Sequence, residues 1–384
     1  MSLDEEVRAE LAALDAAGRL RVPRVVDGAH GPTISVDGRE VLNLSSNDYL
    51  SLAGDRRLVE AAKGAVDEAG VGAGASRLIT GTHRLHVELE RVVGAWMRVG
   101  GVRLFNSGYA ANTGVLSTLA GQGDLVFSDE LNHASIIDGC RLSRADVVVY
   151  PHADVNALEA EFAKPRSARR RIVVTESLFS MDGDVADLEA IARVARRAGA
   201  ALIVDEAHAI GVHGPEGRGI GAQRGVVPDV VIGTFGKALG TYGAFAATTQ
   251  AVAELLWNRA RSFVFSTALP PSISAATLAA IDIVRSGEGA ERRRVLAGHA
   301  RRLRELVTGL GGAMESAIAP RMVGDDREVM RAMARLLDRG VFAQGIRPPT
   351  VPVGTARLRL SLCAGLSEQQ LENAGRMLND AVRQ

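Results

Sequence analysis

The sequence predicts an α/β protein built on a mostly parallel central sheet covered by helices, with a smaller α+β region toward the C-terminus. Two observations carry this. Short apolar runs recur through the middle of the chain: VRLF (102–105), DLVF (124–127), DVVVY (146–150), RIVVTE (171–176), ALIVD (201–205) and DVVIGTF (229–235). Near-continuous Val/Ile runs are what strands buried on both faces look like, and such strands belong to parallel sheets. Helical stretches such as ALEAEFA (157–163) and LEAIARVARRAG (188–199) lie between them. Strand–helix alternation of this kind builds a sheet with helices on its faces.

The flanking regions read differently. The first 18 residues form an amphipathic pattern with Leu3, Val7, Leu11 and Leu14 on one helical face. Two short strands are expected at 33–37 and 40–45. After about residue 285 an Arg-rich helix runs from Ala290 to about Thr308, followed by short strands near 320–323, 341–344 and 357–361 and a final helix from Ser367 to Val382. A chain of 384 residues exceeds what one core usually needs. The expected division is an N-terminal helix and strands (1–50), a large α/β domain (51–285) and a small α+β domain (286–384).

Composition excludes several functions. Lys+Arg and Asp+Glu both number 45, so nothing favours a nucleic acid or an acidic membrane as partner. No run of about 18 apolar residues exists, so no membrane-spanning helix is expected. The charged N-terminus lacks the apolar segment of a signal peptide, and a cytoplasmic location is expected. Cys140 and Cys363 are too few for a disulfide framework or a Cys-rich zinc site, and both read as buried thiols.

Ligands of open α/β sheets sit at the carboxyl ends of strands, so the residues there are the candidates. ALIVD-EAH places Asp205 at a strand end with His208 three residues on. DEAH also occurs in nucleotide hydrolases, but no GxxxxGK[ST] loop accompanies it here. Zinc binding through His208 and His213 lacks a third ligand. DVVIGTFGKALG places Thr234 and Lys237 beyond another strand, with Gly236 and Gly240 flanking the lysine. A desolvated lysine is a nucleophilic amine; a solvated loop lysine is the other reading. LFNSGYAANTG runs from strand to helix, and the helix start at Gly108 offers N–H groups to an anion. GVGAGAS (70–76) follows a helix rather than a strand, so it reads as a glycine-rich loop shaping a site wall and not as a dinucleotide loop. His133 can stack on a planar ring or be structural. Ser180 can donate a hydrogen bond. Arg347, in IRPPTVP, can grip a carboxylate bidentately or pair at the surface.

Taken together, LSSNDYL, SRLITGTHRLHVELE, NSGYAAN, NHASIIDGCRLS, VVTESLFSMDGD, IVDEAHAIGVHGPEGRG, GTFGKALG and RPPTVPVGTARLRLSL resemble the α-oxoamine synthases nearly end to end. These are pyridoxal 5′-phosphate enzymes of fold-type I, similar in fold to aspartate aminotransferase, that condense an amino acid with an acyl thioester. The resemblance implies that Lys237 holds the cofactor as a Schiff base and later acts as general base. It implies that Asp205 pairs with the pyridine nitrogen, His208 with the phenolic oxygen, and that His133 stacks on the ring. Gly108, Tyr109, Ser180 and Thr234 would bind the cofactor, and Ser266 and Thr267 would reach the phosphate in the partner of a homodimer. Arg347 would hold the amino-acid carboxylate with Asn47 nearby. Thr350 and Arg21, with Arg19 as the other occupant of that position, would touch substrate.

RPPTVPVGTARLRL matches most the branch that joins L-alanine to a pimeloyl thioester, carried by CoA or by acyl-carrier protein, in biotin synthesis. The glycine C-acetyltransferase and 5-aminolevulinate synthase branches are the alternatives, and a non-catalytic nucleotide-binding protein is the remote one. No metal is implied. Three departures stand out: Tyr109 replaces a common Phe, Ser51 replaces a common Gly in the NDYLGL pattern, and Thr241-Tyr242-Gly243-Ala244 differs from the Gly-rich segment often found after the lysine, which bears on substrate fit.

Overall fold

In the computed structural model, which describes residues 2–383, contacts divide the chain into two compact units. One holds Leu50–Ser180 and Val185–Arg294; the other holds the chain up to Tyr49, Met181–Asp184 and the chain from Val295. Residues 1–49 therefore group with the C-terminal region, and the boundary at 294 falls within the helix Gly287–Leu306.

The larger unit is organised by a seven-stranded sheet. Its spatial order is Gly101–Phe105, Ala244–Thr248, Val230–Thr234, Ala201–Asp205, Arg171–Glu176, Leu125–Asp129 and Asp146–Tyr150. The strands from Val230–Thr234 to Asp146–Tyr150 pair in parallel. Ala244–Thr248 runs antiparallel to both of its neighbours. Its sequence, AFAAT, lacks β-branched residues except at its end, which is why periodicity does not reveal it. Buried Phe105, Leu116, Val126, Ile136, Ile172, Val174, Ile203 and Ile232 form the core between this sheet and its helices. Side-chain caps start those helices: Asp55, Ser107, Asp154, Asp187 and Thr249 each accept a backbone N–H of the first turn.

Two glycines are dictated by close approach. Gly233 lies in register with Phe245 on the next strand, and a Cβ at Gly233 would come within 2.3 Å of that ring. Gly240 has φ +67°, and its Cβ would meet the Ala53 nitrogen at 2.4 Å. What packs against the glycine that follows Lys237 is thus the chain's own backbone. Ser51 keeps the left-handed conformation (φ 54°) at the position where the family pattern has Gly, and its carbonyl accepts from Arg292 at 3.0 Å.

The smaller unit holds a three-stranded antiparallel sheet, in order Ile318–Gly324, Ala356–Ser361 and Gln344–Ile346. A second sheet combines Val26–Asp27, Thr33–Val36 and Arg39–Asn43 with Val341–Phe342. The helix Leu3–Ala16 forms, stabilised by a Ser2–Glu5 capping box, but its expected apolar face is not buried: Leu3, Val7, Leu11 and Leu14 are all exposed. Cys140 and Cys363 are buried, and neither is in a disulfide. No helix among the described residues is long and apolar enough to cross a membrane.

The Phe245–Gly233 contact makes a stability prediction. Gly233→Ala forces the ring to move and is expected to cost about 1–3 kcal/mol, the usual range for overpacking a core. Urea unfolding measures it, and an unchanged midpoint would show that the ring yields freely.

Candidate active site

Four neighbouring parallel strands end side by side at Thr234, Asp205, Glu176 and Asp129. The segments leaving those ends carry Lys237, His208, Ser180 and His133. Lys237 Nζ lies 2.9 Å from His208 Nε2. Asp205 is buried; its Oδ1 accepts from the Ala207 N–H at 2.8 Å and its Oδ2 from the Asn112 amide at 2.6 Å. Those donors offset the loss of hydration that makes a buried carboxylate costly.

His133 caps the helix Ala134–Ser143. Its Nδ1 accepts from the Ser135 N–H at 3.2 Å and contacts Ser135 Oγ at 2.7 Å. Its own backbone N–H donates to Glu176 Oε1 at 2.7 Å. His133 is exposed to solvent, yet the protein mass around its ring lowers its pKa; the Asp205 charge opposes this and Lys237 adds to it. Glu176 is fully enclosed. Burial, then the neighbouring Asp205 charge, pushes its carboxyl up from the usual 4.5 to about 8, against Lys237 and the N–H groups of His133 and Ser180.

The helix Gly108–Leu119 begins at the end of Gly101–Phe105, with the Ser107 side chain capping the Ala110 N–H. A Cβ at Gly108 would meet nothing within 4 Å, so the helix start faces open space, as an anion cradle requires. Tyr109 is half exposed, and its hydroxyl bonds to Asp138. Thr234 Oγ1 donates to the Gly243 carbonyl and accepts from the Gly236 N–H. The Asn106 amide holds Ser266 Oγ and the Thr267 carbonyl, both at 2.7 Å. The glycine-rich loop pairs with that segment through Ser76 and Thr267.

In the smaller unit, Arg21, Arg347 and Thr350 line a cavity of about 310 Å³ together with Met330, Met333 and Ile346. Arg21 Nη2 donates to Thr350 Oγ1 at 3.3 Å. Arg19 is instead paired with Asp326 at 2.9 Å, and of these two arginines it is Arg21 that lines the cavity. Arg347 is buried; it donates to the Leu20 carbonyl at 2.7 Å and lies against Met330 Sδ. Burial and the like charge of Arg21 lower its pKa, against Asp326. Asn47 Oδ1 accepts from both terminal nitrogens of Arg359 at 3.2 Å.

Several residues at these positions escape sequence reasoning. Asn112 and Ser135 close NSGYAAN and NHAS; Ser135 meets His133 within the same helix start, but only the fold brings Asn112 to Asp205 and to Ser135. Glu176 reads as the last residue of a strand. Arg359 reads as one of two arginines in RLRL. Glu206 of the DEAH run is structural: buried, it accepts from Ser177 Oγ and from the N–H groups of Ile220 and Gly221. Among the described residues no group of three or more His, Cys, Asp or Glu is arranged to hold a metal ion.

The family described as aminotransferase class I and II matches residues 39–378. The 8-amino-7-oxononanoate synthase of Geobacter metallireducens is 50% identical over 370 residues, 95% of each chain. A serine palmitoyltransferase structure from S. paucimobilis, bound to a PLP–myriocin adduct, superposes with a TM-score of 0.94 at 32% identity, covering 100% of this chain and 99% of that one. An 8-amino-7-oxononanoate synthase structure from Francisella tularensis gives 0.77 at 27% identity, covering 89% and 98%.

Glu176 generates a pH prediction. A carboxyl whose folded pKa is raised holds a proton that the unfolded chain has released. Its stabilising contribution is therefore complete below 4.5 and lost as pH rises through about 8. Wild-type ligand-free protein should lose stability relative to Glu176→Gln between about pH 5 and 9, read by urea unfolding at each pH. Parallel curves would mean that Glu176 is ionised throughout.

Proposed function

Because the chain belongs to the class I and II aminotransferase family, and within it to the α-oxoamine synthases of the 8-amino-7-oxononanoate synthase branch, we propose that it condenses L-alanine with a pimeloyl thioester, releasing CO2 and free thiol, using pyridoxal 5′-phosphate. The observation that carries this is the meeting of Lys237, His208 and the donor-held Asp205 carboxylate at adjacent strand ends.

The residues present fit the cofactor. Lys237 offers the amine for its aldehyde, Asp205 an acceptor for its ring N–H, and the open helix start at Gly108 and Tyr109 suits its phosphate. When bound, the cofactor supplies an electron sink for the pair left at the Cα of alanine. The sink depends on a protonated ring nitrogen, and the Asp205 carboxylate holds that proton in place. Lys237 Nζ, when free of the cofactor, would take the Cα proton. His208 and Ser180 orient the ring through its polar edge, and Thr234 shapes the turn that presents Lys237. The His133 imidazole would cover the cofactor ring and could hydrogen-bond the acyl carbonyl oxygen during decarboxylation. Ser266 and Thr267 serve the phosphate in the second subunit of a homodimer. The proposal includes a cytoplasmic location.

Arg347 receives a substrate carboxylate, with Arg21 and Thr350 beside it. The resemblance assigns it the amino-acid carboxylate. Its cavity, lined by methionines and Ile346, also suits the distal carboxylate of the pimeloyl chain, and Arg359 holds Asn47. Steady-state kinetics separate the two. Arg347→Ala is expected to raise KM for alanine by at least about tenfold, the worth of one lost charged contact. A rise for the pimeloyl thioester alone, with Arg359→Ala raising that for alanine, would move the amino-acid carboxylate to Arg359.

Two experiments test the function itself. Purified protein loaded with pyridoxal phosphate should show a visible absorption band that Lys237→Ala abolishes; a wild-type protein that takes up no cofactor overturns the proposal. Thiol release should be fastest with alanine and a pimeloyl thioester in a matrix with glycine, serine and acetyl, succinyl and palmitoyl donors. Preference for glycine with acetyl-CoA would transfer the chain to the glycine C-acetyltransferase branch.

A further inference from the structure

Two buried polar residues in the large unit have no part in the chemistry above. Asn112 and Ser135 are essentially inaccessible to solvent. Asn112 Nδ2 is 2.6 Å from Asp205 Oδ2 and 2.9 Å from Ser135 Oγ. Its own Oδ1 is buried without a hydrogen-bond partner among the described residues. An unmatched buried acceptor costs about 1–3 kcal/mol. An apolar side chain would spare that cost, so packing alone does not account for an amide at this position.

The proton positions follow from donor chemistry. An amide nitrogen donates and never accepts, and its two hydrogens are directed at Asp205 Oδ2 and Ser135 Oγ. Ser135 Oγ is thereby an acceptor toward Asn112, and its own hydrogen is left to point at His133 Nδ1, 2.7 Å away. The Ser135 backbone N–H donates to the same Nδ1 at 3.2 Å. A nitrogen that accepts from two donors holds a lone pair and no proton. Neutral His133 then carries its hydrogen on Nε2.

We infer that Asn112 and Ser135 are positioning residues forming a one-directional hydrogen-bond relay from Asp205 to His133, which holds the imidazole as its Nε2–H tautomer and so makes it a hydrogen-bond donor in the site. The identity of the acceptor, a carbonyl oxygen of the acyl group, rests on the function proposed above; the tautomer does not. Glu176 completes the restraint by holding the backbone N–H of His133. The ring is thus fixed both in position and in the direction of its proton.

The relay is tested by 15N NMR of histidine-labelled protein, with the His133 signals assigned by their loss in His133→Gln. The wild type should show Nδ1 unprotonated and Nε2 protonated. Asn112→Ala touches no atom of the imidazole, yet it should move the Nδ1 resonance, as should Ser135→Ala, while Ser135→Thr restores it. In the loaded enzyme, Ser135→Ala should lower kcat about tenfold with KM for alanine held within about twofold, since the interaction serves a later step than alanine binding. Because both residues act along one path, the double variant should be no slower than the worse single one. A visible cofactor band of wild-type strength shows that each variant is folded and loaded. An Nδ1–H tautomer in the wild type, a His133 resonance indifferent to Asn112→Ala, or additive losses in kcat would each overturn the relay. The resonance is read in ligand-free protein as well. Failure of the wild type to bind pyridoxal phosphate would therefore remove the proposed function while leaving the tautomer to stand or fall separately.

Discussion

A carboxylate at the buried end of a strand gives up several kcal/mol of hydration, and the fold must supply donors in its place. Asp205 obtains them from two directions: the N–H of Ala207, in the turn that leaves the strand, and the amide of Asn112, from the helix that starts at Gly108. Much else at these strand ends follows from that one charge. It adds to the burial that raises the Glu176 carboxyl toward neutrality, and it opposes the fall in the His133 pKa that burial causes. It also fixes which atom of Asn112 faces it, and through Asn112 the orientation of the Ser135 hydroxyl. Removing the Asp205 charge would alter proton positions as well as a contact.

The lysine depends on the same geometry. Lys237 lies in a turn whose path is set by Thr234 bonding within it and by Gly240 passing against the Leu52–Ala53 backbone. That close approach admits no side chain at position 240. The turn is thereby rigid, and a rigid turn on a central strand holds a reactive amine more closely than a free loop does. The arginines of the smaller unit follow a different logic. Arg347 is buried beside the like charge of Arg21, which Asp326 opposes only in part, an arrangement that an anionic ligand relieves.

The central strands, the short strands and helices of the C-terminal region and the motifs carrying Lys237, Asp205, His208 and His133 were legible from the chain. Strong local signals carry them: Val/Ile runs for buried strands, and glycines and polar residues at the points where strands end. The antiparallel strand Ala244–Thr248 was not legible, because alanines have little strand preference and its place depends on the cross-strand fit of Phe245 over Gly233. The exposed apolar face of Leu3–Ala16 shows the converse: helical periodicity sets which residues share a face and says nothing about whether that face is covered.

Asn112, Ser135, Glu176 and Arg359 mark the same boundary at the candidate site. Each lies in a motif readable by eye, yet each has a partner that stands far away in the chain: Asp205 for Asn112, Asn112 for Ser135, His133 for Glu176 and Asn47 for Arg359. Residue type and local spacing were enough to nominate a nucleophilic lysine and an acid, since their chemistry resides in the side chains themselves. The pKa shifts, the partners of Asp205 and His133, and the fact that Arg21 rather than Arg19 lines the cavity of Arg347 came from the fold, since they depend on which groups meet at hydrogen-bond distance, and chain connectivity does not encode that distance.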